Sequence, residues 1–235
     1  MRALLLAAGL GTRLRPLTDS IPKCLVPING VPLLGHWFDL LFGSGIDAAL
    51  VNLHYLPDQV EKFIQKSPYK NKIQMVYEEK LLGTAGTLLE NKAFFQNTTI
   101  LLVHADNYSI FNLSEFIHVH QLRPQRCDIT MMTFHSDEPQ TCGIVELDNE
   151  NVVQAFHEKV DNPPGNIANG AVYILEASIF DFLKELGKKE IDFSTEVLPH
   201  YLGKIYTYHN HEYHRDIGTP ESYQKAEMEL RIPSK

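Results

Sequence analysis

The sequence lacks a long hydrophobic run and has little cysteine. No apolar stretch in its 235 residues approaches the roughly 20 residues that a membrane-spanning helix needs, so we expect no membrane partner. Cys24, Cys127 and Cys142 are widely separated, with neither the paired spacing of a zinc site nor the even number of a disulfide framework. This pattern indicates reduced thiols and predicts a cytoplasmic protein.

An excess of positive charge is also missing. The formal net charge of −8 argues against general nucleic-acid binding, which depends on a basic surface. Positive charge is instead concentrated in the first 23 residues, where Arg2, Arg13, Arg15 and Lys23 accompany a single acid, Asp19. The opening residues MRALLLAAGL have no A-x-A cleavage pattern after them, so we do not expect an export signal. The local charge predicts an anionic ligand near this end of the chain.

Short apolar runs alternate with amphipathic stretches through the first half of the sequence. This alternation is typical of βαβ units around a mainly parallel sheet. The predicted strands cover residues 3–8, 48–53, 73–78, 98–106 and 128–134, and the predicted helices cover 31–45, 56–66, 84–95 and 113–123.

The second half of the sequence has a different pattern. Residues 142–158 predict a hairpin with its turn at 148–151, followed by a strand at 170–176 and helices at 177–189 and 220–231. His209, His211 and His214 lack an acid or cysteine partner at metal-site spacing, which favours an edge strand. No linker separates the two halves, so we expect one domain over residues 1–235 with a lid-like second part.

The first predicted strand ends in a glycine-rich turn. Gly9 and Gly11 match the start of a dinucleotide fingerprint, but Leu14 stands where its third glycine belongs. No Lys-Ser or Lys-Thr follows the glycines, which excludes the common P-loop. Glycines that expose backbone amides, followed by Arg13 with its forked donors, instead predict a loop that holds phosphates.

The segment GLGTRLRPLT, followed by Pro22-Lys23, resembles the signature of the sugar-phosphate nucleotidyltransferases, or NDP-sugar pyrophosphorylases. Five further segments resemble motifs of that family in the same order: LLGTAGTL, VHADNY, FHEKV, NGAVYIL and RDIGTPESY. The resemblance spans residues 3–226 and implies a Rossmann-like three-layer αβα sandwich of the nucleotide-diphospho-sugar transferase type. We expect no C-terminal β-helix of the kind found in longer relatives, and the sequence leaves a homo-oligomer open.

The resemblance implies attack of a sugar 1-phosphate on the α-phosphorus of a nucleoside triphosphate. Its motifs assign Arg13, Lys23 and Lys159 to catalysis and Asp106 and Asp216 to Mg²⁺. They assign nucleotide contacts to Ala8, Gly9, Gly11, Thr12, Arg13, Glu78, Gly83 and Thr84, and sugar-phosphate contacts to Gly143, Glu158, Lys159 and Asn169, with Gly170 beside it. The alternative for these residues is structural: capping for the aspartates, turn chemistry for the glycines and Asn169, and solvation for the cations.

The base and the sugar are less directly indicated. A carboxylate at Glu78 can only accept hydrogen bonds, which suits guanine N1–H and N2–H₂, and LGTAG resembles the guanylyltransferase branch. We therefore expect GTP and mannose 1-phosphate. Heptose 1-phosphate, and uridylyl or thymidylyl transfer to a hexose or amino-sugar phosphate, are alternatives. A regulatory sugar-nucleotide-binding protein without catalysis is an alternative of another class, which the retained charged residues disfavour.

Overall fold

The computed structural model describes residues 1–96 and 98–230. The strands are β1 (Arg2–Leu6), β2 (Pro27–Ile28), β3 (Val31–Pro32), β4 (Ala48–Leu53), β5 (Ile73–Tyr77), β6 (Ile100–His104), β7 (Asn107–Ile110), β8 (Ile129–His135), β9 (Gly143–Leu147), β10 (Val153–Glu158), β11 (Ile167–Leu175), β12 (Ile205–His209) and β13 (Tyr213–Asp216). The helices are α1 (Leu33–Gly43), α2 (Pro57–Lys66), α3 (Gly83–Glu90), α4 (Leu113–Gln121), α5 (Ile179–Glu185) and α6 (Pro220–Glu229). None of the described helices is long and apolar enough to cross a bilayer.

The chain forms two compact units, each made of several segments. The first unit contains Met1–Leu4, Leu81–Val103 and Phe111–Glu212. The second contains Leu5–Lys80, His104–Ile110 and the chain from Tyr213 onward. The prediction of one domain over 1–235 stays a prediction, and its last five residues lie outside the described ones.

The first unit contains the strand order β10-β9-β11-β6-β1, with β8 paired to both β11 and β12. Strand β11 runs antiparallel to β6, β8 and β9, whereas β12 runs parallel to β8, so the sheet is mixed as predicted. The predicted hairpin is β9–β10. The carboxylate of Asp148 accepts hydrogen bonds from the amides of Glu150 at 2.8 Å and Val152 at 2.9 Å, which closes its turn.

The second unit contains the strand order β1-β4-β5, in which β4 and β5 are parallel. A separate two-stranded ribbon pairs β7 with β13 in antiparallel register and sets Asp216 opposite Asn107. This ribbon joins two segments that are far apart in the sequence. It therefore places the residues next to β7 beside the end of β13.

One apolar cluster of the second unit is assembled from both ends of the chain. Its buried members are Leu14, Val26, Ile28, Leu33, Tyr108, Ile217 and Ala226. Hydrogen bonds from Asn29 to Glu227 at 2.9 Å and to the carbonyl of Leu230 at 2.8 Å also attach α6 to the early chain. Burial of this cluster therefore stabilises the segment that carries Asp216.

The sequence predicted most elements to within a few residues, and β4 exactly. The helix predicted over 84–95 ends at Glu90 and is followed by a 3₁₀ turn at Lys92–Phe95. The edge strand predicted for the histidines is wrong between residues 210 and 212, because the side chain of Asn210 accepts a hydrogen bond from the amide of Glu212 at 2.9 Å and forms a turn. The last residue of the helix predicted over 220–231 lies outside the described residues.

Candidate active site

The predicted phosphate loop follows β1 in the second unit. Ala8 is buried, whereas Gly9 and Thr12 are exposed. Gly11 has a φ of +63°, and a Cβ there would lie 2.9 Å from a methyl carbon of Thr18. The hydroxyl of Thr18 donates to the carbonyl of Gly11 at 2.6 Å. Glycine is thus required at position 11 both by backbone conformation and by the close packing of Thr18.

The two arginines of the loop have different surroundings. Arg15 pairs with Asp19 at 3.2 Å within the loop. Arg13 lies 3.6 Å from the carboxylate of Asp216, and 63% of its side chain is exposed. A Cβ at Gly218 would lie 2.6 Å from Asp216 Oδ2 and 3.1 Å from an Arg13 nitrogen, so glycine there allows this approach. Arg13 therefore presents an accessible guanidinium at the carboxylate, as an anion-binding arginine would.

Lys23, Asp106 and Asp216 meet in one ion-pair cluster around the buried ammonium of Lys23. The Lys23 ammonium donates to Asp106 Oδ2 at 2.7 Å and to Asp216 Oδ1 at 3.1 Å. Asp106 follows β6 and precedes β7, and Asp216 ends β13, so the ribbon brings the two carboxylates together. Lys23 is only 6% exposed, so water stabilises its charge little and the two carboxylates stabilise it instead.

Electrostatics favour the charged forms of Lys23 and Asp106 near neutral pH. Burial lowers the pKa of Lys23, but Asp106 and Asp216 outweigh this effect, so the pKa lies above its ordinary value of 10.5. Burial raises the pKa of Asp106, but Lys23 and His104 outweigh it, so the pKa lies below 3.8. Lys23 and Asp106 therefore form a charged pair through the neutral range.

Two carboxylates that reach one ammonium nitrogen converge on a single point. Mg²⁺ is commonly held in proteins by one or two carboxylates, with waters and substrate phosphates as its other ligands. In the part of the chain that the structure describes, no group of three histidine, cysteine, aspartate or glutamate side chains could hold a metal ion. The donor set of Asp106 and Asp216 thus fits a substrate-assisted Mg²⁺ site and does not resemble an all-protein cage.

Glu78 follows β5 and is buried, with an exposure of 6%. Its Oε1 accepts a hydrogen bond at 3.0 Å from the amide of Asn52, whose own oxygen accepts from the backbone N–H of Ala7 at 2.8 Å. The backbone amide of Glu78 donates to Leu53 at 2.9 Å. The predicted base-contacting carboxylate is therefore held in a fixed place next to the strand that leads into the phosphate loop.

Gly83 and Thr84 begin α3 in the first unit. Gly83 has a φ of +73°, and a Cβ there would lie 2.5 Å from the carbonyl oxygen of Ile191. The hydroxyl of Thr84 accepts from the backbone N–H of Phe193 at 2.6 Å. Both residues thus pack this helix start against residues 191–193, and their predicted nucleotide contacts stay predictions.

Gly143, Glu158 and Lys159 come together at the open end of the β9–β10 hairpin. Gly143 pairs with Glu158 across the hairpin, and a Cβ on this glycine would lie 2.7 Å from a Glu158 oxygen and 2.6 Å from the ring of Phe156. Lys159 has a φ of +50°, and its ammonium lies 3.4 Å from Glu158. The side chain of Lys159 is 58% exposed, and its predicted contact with a sugar phosphate stays a prediction.

Asn169 lies in β11, where the pairing with β8 is irregular between residues 169 and 173. Its amide donates to the hydroxyl of Tyr173 at 2.6 Å, and its oxygen accepts from the amide of Ala171 at 3.0 Å. A Cβ on Gly170 would lie 2.7 Å from Met132. Asn169 therefore shapes the strand locally, and its predicted sugar contact stays a prediction.

The histidines singled out in the sequence have separate roles. The ring of His209 lies with its centroid 4.6 Å from that of His135 and 4.6 Å from that of His211 in the first unit. His214 lies in the second unit, where its Nδ1 is 2.6 Å from the hydroxyl of Ser109 across the ribbon. Burial lowers the pKa of His214 to about 3, so this histidine is neutral at physiological pH.

Sequence reasoning missed Asn52 and the packing role of Gly218. Asn52 is the polar residue within the apolar strand AALVNL, which could have marked it as a buried hydrogen-bonding group. Gly218 belongs to the quoted closing motif, but its contact with Asp216 depends on a distance that no sequence pattern contains. The four charged residues Arg13, Lys23, Asp106 and Asp216 were predicted, and the structure brings them together.

Solved structures share this fold over nearly the whole chain. A putative glucose-1-phosphate thymidylyltransferase from Bacillus anthracis, crystallised with sucrose, superimposes with a TM-score of 0.87 at 21% identity and covers 100% of this chain and 97% of its own. HddC from Yersinia pseudotuberculosis, in complex with GMP-PN, has a TM-score of 0.81 at 26% identity over 98% of this chain and 99% of its own. These likenesses confirm the predicted α/β fold of the nucleotide-diphospho-sugar transferase type.

The family model described as nucleotidyl transferase matches residues 2–232, and the chain belongs to that family. Mannose-1-phosphate guanylyltransferase of Mycobacterium tuberculosis (strain ATCC 25618 / H37Rv) is 33% identical over 97% of this chain. The chain spans only 64% of the length of that relative. D-glycero-alpha-D-manno-heptose 1-phosphate guanylyltransferase of Aneurinibacillus thermoaerophilus is 31% identical over 98% of this chain and 99% of the relative. The resemblance read from the six motifs is thus confirmed at the level of the family.

Proposed function

We propose that the protein transfers a guanylyl group from GTP to mannose 1-phosphate and releases pyrophosphate. A phosphate oxygen of the sugar attacks the α-phosphorus, the bond from this phosphorus to the bridging oxygen breaks, and pyrophosphate leaves with the electron pair. The observation that carries the proposal is the convergence of Lys23, Asp106 and Asp216 beside a glycine-rich loop with an exposed Arg13. Reactions of this kind need positioning and charge stabilisation rather than a covalent nucleophile.

Arg13 and Lys23 supply positive charge for the triphosphate. Arg13 has an exposed guanidinium that can donate two parallel hydrogen bonds to phosphate oxygens. At Asp106 and Asp216, bound Mg²⁺ would supply neutralisation of phosphate charge and orientation of the phosphate oxygens. The ammonium of Lys23, which lies beside both carboxylates, can act as a point charge toward the same phosphates.

Lys159 and Glu158 are suited to the sugar phosphate. The exposed ammonium of Lys159 can offset the charge of the incoming phosphate, which otherwise repels the triphosphate. Glu158 can accept hydrogen bonds from sugar hydroxyls. The missing side chain at Gly143 leaves room for Glu158 in its observed position.

The guanine preference rests on Glu78 and on the relatives. A carboxylate held as a hydrogen-bond acceptor matches the N1–H and N2–H₂ donors of guanine, whereas uracil and thymine offer only one such donor. The two curated relatives described above are guanylyltransferases by name. Both observations favour GTP over UTP or dTTP.

The manno-heptose 1-phosphate is a second candidate for the sugar. The specific observation in its favour is the relative from Aneurinibacillus thermoaerophilus, which is a heptose-1-phosphate guanylyltransferase by name and is 31% identical over 98% of this chain. Identity is similar for the two relatives, at 31% and 33%. We keep mannose 1-phosphate as the first candidate and a cytoplasmic location as part of the proposal. A homo-oligomer stays a prediction.

Pyrophosphate release from the purified protein tests the proposal. GTP, UTP, dTTP, CTP and ATP are each combined with mannose, glucose, N-acetylglucosamine and manno-heptose 1-phosphates in the presence of Mg²⁺. We expect release with GTP and one manno-configured sugar. Release only with UTP or dTTP would overturn the argument from Glu78. If no combination releases pyrophosphate but the protein still binds a nucleotide sugar, the regulatory alternative is favoured.

A further inference from the structure

Asn52 is a buried amide in a strand whose other five residues are all apolar. The residue is 3% exposed, and the strand AALVNL that contains it is buried at every position from Ala49 onward. A buried amide destabilises the fold unless its hydrogen bonds are satisfied, whereas an apolar residue would need none. Packing alone therefore does not explain why asparagine occupies this position.

The two partners of Asn52 belong to the two ends of the proposed nucleotide site. Its oxygen accepts from the backbone N–H of Ala7 at 2.8 Å, at the point where β1 leads into the phosphate loop. Its amide nitrogen donates to Glu78 Oε1 at 3.0 Å, on the carboxylate proposed to contact the base. The side chain of Asn52 thus links the start of the phosphate loop at Ala7 to the carboxylate of Glu78.

The orientation of the Asn52 amide follows from its partners. A backbone N–H can only donate, so the oxygen of Asn52 must face Ala7 and its nitrogen must face Glu78. Glu78 consequently receives a hydrogen bond on Oε1. This bond favours one orientation of the carboxylate group about the Cγ–Cδ bond. The ring of His54, whose Nδ1 lies 2.8 Å from the Glu78 carbonyl oxygen, holds the backbone of the same residue.

We propose that Asn52 is a positioning residue for base discrimination, holding the Glu78 carboxylate in the plane and register that guanine requires. A carboxylate has about four lone-pair positions and can accept several hydrogen bonds at once. Two hydrogen bonds to N1–H and N2–H₂ need both carboxylate oxygens in one plane with the base, which a freely rotating carboxyl would not maintain. The inference rests on the proposed function, because it takes GTP as the nucleotide.

The comparison of GTP with ITP measures this positioning directly. Hypoxanthine keeps the N1–H donor of guanine and lacks its 2-amino group, so a correctly placed carboxylate loses one hydrogen bond with ITP. A hydrogen bond to a charged group corresponds to a preference of about 10-fold to 100-fold. We expect the wild-type protein to favour GTP over ITP in kcat/KM by an amount in this range.

The variant Asn52→Asp removes the donor and keeps the shape. Its carboxylate can still accept from the Ala7 amide, but it presents an oxygen in place of the nitrogen that faces Glu78. Repulsion between the two carboxylates should turn Glu78 away from its observed orientation. We expect the GTP-to-ITP ratio to fall to within about threefold of unity, with the KM for the sugar 1-phosphate unchanged.

Two further variants separate positioning from folding. In Asn52→Asp combined with Glu78→Gln, the glutamine amide can donate to the new carboxylate, so we expect recovered thermal stability without recovered GTP preference. The matched control is Tyr223→Phe, which deletes the hydrogen bond from this hydroxyl to the carbonyl of Pro27 at 3.1 Å in the same unit. Tyr223→Phe should keep the wild-type GTP-to-ITP ratio.

The outcomes distinguish this inference from the proposed function. If Glu78→Gln lowers the ratio and a folded Asn52→Asp leaves it at the wild-type value, the inference is overturned and the guanylyltransferase proposal stands. If Glu78→Gln leaves the ratio unchanged, the base assignment and the inference fail together. A wild-type protein without turnover on GTP would overturn the proposed function itself.

Discussion

Replacing Asp106 by asparagine removes one of the two carboxylates that hold the buried ammonium of Lys23. The bond from Lys23 to Asp106 is 2.7 Å long, shorter than the 3.1 Å bond to Asp216. Asparagine has nearly the same shape and can still accept a hydrogen bond through its oxygen. The change therefore tests charge at this position with little change in packing.

The cost in stability follows from the charge and exposure of the pair. Removing one partner of a buried ion pair costs about 3–5 kcal/mol, but Asp216 still pairs with Lys23 and asparagine can still accept from its ammonium, so we expect a smaller loss of about 1–2 kcal/mol. Asp106 is 35% exposed, which screens the interaction and favours the lower end of this range. For a chain of this size, about 1 kcal/mol corresponds to a fall of roughly 2–4 °C in Tm.

The pH dependence of this cost has a definite sign. The pKa of Asp106 is lowered in the folded protein, so its stabilising effect is fully present above the ordinary value of 3.8. It is lost as the pH falls through the lower folded value. The difference in unfolding free energy between the wild type and Asp106→Asn should therefore be constant near neutral pH and shrink in acid.

The assay is urea unfolding and pyrophosphate release, measured on the same preparations. Asp181→Asn is the matched control, because Asp181 pairs with Lys184 at 2.8 Å but both side chains are exposed. We expect this control to change stability by less than about 0.5 kcal/mol and to leave turnover unchanged. Asp106→Asn should lose at least about 100-fold in Mg²⁺-dependent turnover, since it lacks a proposed metal ligand.

Two results would refute this reasoning. Near-normal turnover of Asp106→Asn with Mg²⁺ would show that the metal assignment is wrong. A stability equal to or greater than that of the wild type would show that Asp106 is not the main partner of Lys23.

Three further predictions concern other parts of the structure. Gly218→Ala would place a methyl group 2.6 Å from an oxygen of Asp216, and we expect an apparent Mg²⁺ requirement about tenfold higher in a magnesium titration of activity. Gly143→Ala would place one 2.7 Å from Glu158, and steady-state kinetics should show a higher KM for the sugar 1-phosphate at unchanged KM for GTP. Burial lowers the pKa of His120 from 6.5 to about 4, so its neutral form stabilises the fold above pH 6.5 and this contribution is lost on acidification toward pH 4. Urea unfolding of His120→Gln should show a weaker pH dependence over that window, and an identical dependence would contradict the assignment.

Sequence reasoning predicted the elements with strong periodicity. The apolar run of β4 and the alternating hairpin β9–β10 each contain enough buried positions to indicate a strand without tertiary information. The resemblance of six motifs to one family assigned Lys23, Asp106 and Asp216 to one site, but it did not predict the ion pairs that Lys23 forms with both carboxylates. Spacing alone could not have indicated them, because these residues are distant in the sequence.

The features that the sequence did not predict depend on contacts between distant segments. Strands β7 and β13 are four residues long and largely polar, and the ribbon that they form pairs two segments that are distant in the sequence. Asn52 lies in β4, whereas Glu78 follows β5. The sequence around either residue therefore does not predict the hydrogen bond between them. The requirement for glycine at position 218 comes from the position of the Asp216 carboxylate, which only the folded chain defines.

The apolar cluster built from both ends of the chain has a consequence for synthesis. Val26 and Ile28 leave the ribosome early, whereas Ile217 and Ala226, which cover the same cluster, are translated near the end. Until those late residues appear, the early loops keep apolar surface exposed to water, and Lys23 has no Asp216 to pair with. The second unit can therefore complete this cluster only after Ala226 has been made, and until then the exposed apolar surface favours aggregation of the nascent chain.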